Sequence, residues 1–157
     1  MSETSPLLSM WRRLAGTAAG RWLFSRIVCW KAPYFATIWP RFILLEPGRC
    51  ELGISKRRAV LNHIGTVHAI AMCNMAELAA GTAIEVTIPH SHRWIPKGMS
   101  VEYLQKATTD LRATAIVEAP AQWSASIELP VAVQIVDAAG SLVFQAAVRM
   151  WITARYR

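Results

Sequence analysis

One stretch limits the folds open to this chain. From His68 to Thr82 it reads HAIAMCNMAELAAGT, apolar nearly all the way round a helix. Side chains three and four residues apart share a helix face, and a surface helix shows one polar face. This one offers none, so it is expected to be covered on all sides. Strands that could supply the cover follow it. Ile127, Leu129, Val131, Val133 and Ile135 fall on one side of a period-two pattern. Leu142, Phe144, Ala146, Val148, Met150 and Ile152 do the same in the next run. Asp137-Ala138-Ala139-Gly140 between them reads as a hairpin turn. Shorter strand-like runs occupy about 41–45, 49–58, 98–107 and 110–118. Two strands, one buried helix and four strands describe an α+β domain over 41–157, an antiparallel sheet wrapped around a helix.

The first forty residues are different. Residues 6–30 read as an amphipathic helix, with Leu7, Trp11, Leu14, Ala18 and Trp22 at three- and four-residue steps. Pro33 and Pro40 bracket the connector that follows, so 1–40 forms an N-terminal helical extension. The net charge of +7 belongs to this end. Residues 1–58 hold ten Lys/Arg and three Asp/Glu, whereas 59–157 hold seven of each. The helix is expected to cover its own domain. Trp beside Arg also suits contact with a membrane surface. Nucleic acid is not expected as a partner, because no binding motif accompanies the charge.

Arg12, Arg13, Arg21, Arg26 and Lys31 interrupt the most apolar N-terminal stretch before it could span a bilayer. Met1-Ser2-Glu3 lacks the basic start of a signal peptide. The three cysteines, Cys29, Cys50 and Cys73, are odd in number and form no C-x-x-C pair. Reduced thiols and a cytoplasmic location are therefore expected. The histidines do not join the cysteines in a ligand pattern, so neither metal nor cofactor is expected.

Two polar residues stand in the apolar helix, Asn74 and Glu77. A Glu among apolar neighbours is usually paired or functional, and a carboxylate at a partly dry site can act as base or nucleophile. Before the helix comes Asn62-His63-Ile64-Gly65-Thr66-Val67-His68. Gly65 permits a positive-φ turn, and Thr66 could cap the helix. The first-turn N–H groups, His68 to Ile70, would then face outward with the positive end of the helix dipole, suited to a developing oxyanion. Glu77 lies nine residues beyond His68, about 13 Å along the axis. If these groups act together, two antiparallel copies must share the site.

The segment N-x-x-G-T-V-H-A-x-A-x-x-x-x-A-E, Asn62 to Glu77, resembles the signature of hotdog-fold acyl-CoA thioesterases of the phenylacetate-pathway type. The whole chain is most similar to a hotdog subfamily of unassigned function with an N-terminal helical extension and H-A in place of H-G-G. The resemblance implies a dimer or tetramer acting on an acyl-CoA or another acyl thioester. It implies that Asn62 holds the water or the thioester, that the Ala69 N–H forms the oxyanion hole beside His68, and that Glu77 of the partner subunit is general base or nucleophile. Ala69 and Ile70 depart from the family glycines and narrow the thioester's approach. Some members carry Ser or Thr on the strand after the helix; here Pro96 falls at that place, and Ser100 fits only with a shift. Gly65, Asn74, Arg93 and Tyr103 are candidate substrate contacts. Arg93 and Trp94 are expected in a Pro-flanked loop with His90 and His92. The alternative function is a non-catalytic acyl-binding module using the same cleft.

Overall fold

The computed structural model describes residues 5–155. Its strands are β1 (Arg41–Glu46), β2 (Arg49–Ile54), β3 (His92–Tyr103), β4 (Leu111–Ile116), β5 (Ser126–Val136) and β6 (Leu142–Ala154). They form one antiparallel sheet in the order β1-β2-β4-β5-β6-β3. The helices are α1 (Pro6–Leu14), α2 (Ala18–Lys31) and α3 (Ala69–Glu85), with a 3-10 turn at Pro33–Ile38.

The period-two runs set the inner face of the sheet. Leu52, Ala113, Val133, Val148 and Met150 are buried there, and α3 lies across them. Ala113 and Ala115 of β4 meet a helix rich in buried alanines, Ala76, Ala79, Ala80 and Ala83. Small side chains on both partners let helix and sheet approach closely. The turn between β5 and β6 forms as its sequence suggests. Asp137 Oδ1 accepts from the N–H groups of Ala139 (2.9 Å) and Ser141 (2.8 Å), and Gly140 takes a positive φ.

Three expectations change. The N-terminal helix is two helices. Thr17 accepts from the Gly20 N–H at 3.0 Å and starts α2 afresh. A Cβ at Gly20 would lie 1.9 Å from the Leu14 carbonyl oxygen, so glycine permits the corner. Leu8, Trp11 and Phe24 are buried, and the Trp11, Phe24 and Phe42 rings pack together over β1. Trp22, on the expected inner stripe, is exposed.

Secondly, β3 begins at His92, so His92, Arg93 and Trp94 belong to a strand and not to a loop. The Pro at its middle hides it in sequence. Pro96 sits at a break in the β3–β6 register, and β3 is an edge strand where a missing N–H is tolerated. Thirdly, α3 is not covered on every side. The sheet takes one side and the 3-10 turn at Pro33–Ile38 another. Ile70, Cys73 and Glu77, three and four residues apart, form a stripe in which Ile70 and Glu77 are exposed.

Candidate active site

Asn62 builds the loop that presents α3. Its Oδ1 accepts from the N–H groups of Ile64 and Thr66, each at 3.1 Å, and its Nδ2 donates to Thr66 Oγ1 at 2.7 Å. Gly65 turns the chain at φ +78°. Thr66 is thus engaged inside the loop, and His68 caps the helix instead. His68 Nδ1 accepts from the Ile70 N–H at 3.0 Å, which leaves Nε2 to carry the proton of the neutral ring.

The first-turn amides therefore differ from one another. His68 donates to the Val60 carbonyl at 2.8 Å, Ile70 to the His68 ring, and Ala71 to the His68 carbonyl at 3.0 Å. The Ala69 N–H makes no hydrogen bond among the described residues. One donor is open at the positive end of the helix, where three were expected.

Along the exposed stripe, Cys73 stands between Ala69 and Glu77. Tyr103, from the end of β3, reaches it with its hydroxyl 3.3 Å from Cys73 Sγ. That hydrogen bond, helped by partial burial, pushes the phenol up to about 12. Its ring leans on Phe144, with centroids 5.6 Å apart.

A cavity of about 780 Å³ lies over α3, within the size range of small-molecule sites. Leu7 and Met10 of α1, Val28 of α2 and Phe35 of the 3-10 turn form its roof. Glu77, Gly81 and Glu85 of α3 lie below, and Trp94 and Pro96 of β3 close one side. The Trp94 indole N–H donates to Glu85 Oε2 at 2.7 Å. The ring lies against Gly81, where a Cβ would stand 2.8 Å from its Cη2. Glu77 is exposed and makes no hydrogen bond or ion pair among the described residues.

The fold thus gathers Ala69, Tyr103 and Glu77 on one side of α3 and sets Glu77 in the cavity wall. Two expected contacts lie elsewhere. Asn74 is buried, and its Nδ2 donates to Thr37 Oγ1 at 3.1 Å, tying α3 to the 3-10 turn. Strand alternation turns Arg93 to the outer face, where Nε donates to Thr153 Oγ1 at 3.3 Å. Ser100 also pairs on that outer face, opposite Ala147, while Pro96 lines the cavity. Glu85, Trp94 and the helical roof were not singled out from sequence. Glu85 lies two turns beyond Glu77, on the same face, and the helical period would have marked it had α3 been extended past Thr82. No group of three or more His, Cys, Asp or Glu among the described residues could hold a metal ion.

The model of the family described as a domain of unknown function (DUF4442) matches residues 20–152. A crystal structure from structural genomics, APC5556, is 45% identical, covers 95% of this chain and 98% of its own, and has a TM-score of 0.82. PA5026 from Pseudomonas aeruginosa, a protein of unknown function given as a "probable thioesterase", is 23% identical. It covers 83% of this chain and 93% of its own, with a TM-score of 0.75. A thioesterase family protein from Silicibacter pomeroyi is 19% identical over 83% of this chain and 96% of its own, with a TM-score of 0.71. No curated protein matches. The chain belongs to the DUF4442 family, and its sheet curled around α3 is the hotdog fold of these thioesterase-family structures.

Proposed function

We propose that the protein hydrolyses an acyl-CoA-type thioester at a site shared by two copies. The observation that carries this reading is Glu77, a carboxylate without a hydrogen-bond partner among the described residues, in the wall of a mainly apolar cavity. Such a cavity suits an acyl chain, and a free carboxylate beside it suits proton transfer. The hotdog fold of proteins named thioesterases supports the same chemistry.

Ala69 and Glu77 are eight residues apart on one helix, about 12 Å along its axis. They cannot serve one carbonyl carbon within a chain. A two-fold partner brings the Ala69 N–H of one protomer toward Glu77 of the other. The open edge of β3 and the exposed Ile70–Glu77 stripe are the surfaces such a partner would cover. Dimers or tetramers built from this pair are the assembly the reading requires.

Glu77 takes a proton from water as the water oxygen bonds the thioester carbon. The carbonyl oxygen becomes an oxyanion held by the Ala69 N–H. The intermediate collapses, the carbon–sulfur bond breaks, and the thiolate takes the proton back from Glu77. Asn62 serves by fixing the loop that presents Ala69, with Gly65 as its pivot and His68 capping the helix. Tyr103 borders the path of the thioester. The free thiols of Cys29, Cys50 and Cys73 fit a reducing compartment, the cytoplasm.

One observation favours binding without turnover. Ile70 is 55% exposed beside the open amide, where the resembled family carries glycine. Single-turnover assays against a panel of acyl-CoA thioesters separate the two readings. A hydrolase releases one thiol per site, and a binder retains the thioester intact. Sedimentation that shows a monomer at micromolar concentration would remove the shared site. Mixing Glu77→Gln with Asn62→Ala subunits should restore part of the activity, because one centre in each mixed dimer is intact.

A further inference from the structure

We propose that α2 and the turn after it dock the protein on the surface of an anionic lipid bilayer. Trp22, Arg26 and Trp30 are four residues apart and form one row along α2. Trp22 is 53% exposed and Trp30 81%. Leu23, Tyr34 and Trp39 are exposed in the same segment. The Arg26 guanidinium carbon lies 3.8 Å from the Trp39 ring centroid, which joins the turn's indole to the row. The opposite side of α2, with Phe24, Ser25 and Val28, is buried. The domain's own core therefore leaves the outward aromatic row unused, and exposed apolar patches of this kind mark contact surfaces.

Charge selects the occupant. From Ser5 to Leu45 the chain holds no Asp or Glu, and it holds Arg12, Arg13, Arg21, Arg26, Lys31 and Arg41. A second copy meeting this face about a two-fold axis would bring cations onto cations, with no acid in the segment to answer them. An anionic bilayer answers them. Indole rings settle at headgroup level while cations meet lipid phosphates. Arg26 is held inside the fold, where Nη2 donates to the Pro40 carbonyl and Nε and Nη1 are buried, so the cations that reach the lipid are the exposed Arg12, Arg13 and Arg41. No helix among those residues is long and apolar enough to cross a membrane, so the contact is with the surface. The inner side of the same helix supplies Val28 and Lys31 to the cavity, which places the proposed lipid contact beside an acyl-sized space. The docking inference stands without the hydrolysis reading, since it rests on the outer side of α2.

Sedimentation of the full chain with vesicles tests it. Vesicles of phosphatidylcholine alone are compared with vesicles containing phosphatidylglycerol. Binding to the anionic vesicles only is expected, weakening as salt rises. The double variant Trp22→Ser/Trp30→Ser should bind them about tenfold or more weakly. Its melting temperature should be unchanged, because both rings are exposed. No binding of the natural chain to anionic vesicles at low salt overturns the proposal, as does undiminished binding by the variant. A variant whose assembly falls apart in vesicle-free sedimentation also overturns it, because the row would then join copies of the chain.

Discussion

Glu77 and Glu85 stand on the same helix, two turns apart, and line the same cavity, yet their surroundings differ. Glu85 receives the indole N–H of Trp94 and helps to hold that ring across α3. Glu77 has no partner among the described residues and borders the stripe that also carries Ile70 and Cys73. A carboxylate already accepting a hydrogen bond is a structural tie, and moving a proton there disturbs the tie. A carboxylate with open lone pairs can exchange a proton without disturbing the fold. Position on the helix does not separate the two residues; the hydrogen-bond partner does.

The largest expected effect tests the free carboxylate. Glu77→Gln keeps volume and removes the base, so kcat should fall by roughly 10²–10⁴ with little change in KM. Its melting temperature should hold. A variant that melts early while its folded fraction keeps full activity would show Glu77 to be the structural one of the pair. Glu85→Ala should do the reverse. It leaves the Trp94 N–H without its acceptor, a loss of about 1–3 kcal/mol on thermal or denaturant unfolding. Its kcat should stay within a few-fold; collapse of turnover in a stable variant would erase the contrast.

A smaller effect sharpens the same point. Trp94→Phe removes the N–H together with the part of the ring that lies on Gly81, so its own cost mixes hydrogen bonding with packing, and only a cycle isolates the bond to Glu85. A double-mutant cycle should give a coupling of about 0.5–3 kcal/mol, as for residues in direct contact, whereas Glu77 and Trp94 should add independently. The smallest effect concerns Tyr103, at the Glu77 side of α3. Its phenol is pushed up to about 12 from 10.0, chiefly by the Cys73 contact. The folded state therefore favours neutral Tyr103. That contribution is whole below about pH 10 and is lost as pH rises toward 12. Ultraviolet titration of the phenolate should show one late tyrosine, which Cys73→Ala returns toward its ordinary range. An unchanged titration would mean that the contact does not hold Tyr103 over the stripe.

Local pattern made much of this legible. Alternation runs along most of β5 and β6, slipping only beside the turn at Val143, so both strands and their turn could be read directly. The Asn62–Gly65 loop announces itself through residue types that turns require. Where local and tertiary signals diverge, local pattern misleads. Pro96 moves the expected start of β3 to about residue 98, because sequence does not show that the strand begins at His92 and lies at an edge. The apolar stretch that marks α3 stops at Thr82, although the helix runs on to Glu85. Asn74 looked like a cavity residue because its helix does, yet a hydroxyl 37 residues earlier claims it. Trp22 lies on the stripe of one long helix, but the corner before α2 turns it outward. The roof over Glu77 comes from α1, α2 and the 3-10 turn, and no local period in those segments points to α3.

The contact between Gly81 and Trp94 ties two distant positions into one unit of change. Any side chain at 81 must take its space from the ring at 94, since even a methyl would press on the indole. Among relatives, glycine at 81 should therefore travel with a large flat residue at 94, and a bulkier residue at 81 with a smaller one there. Paired exchange moves volume from the strand to the helix and shifts the cavity floor while the total filling is conserved. A library that varies one position alone would sample clashes or voids, while one that varies both would sample cavity shapes.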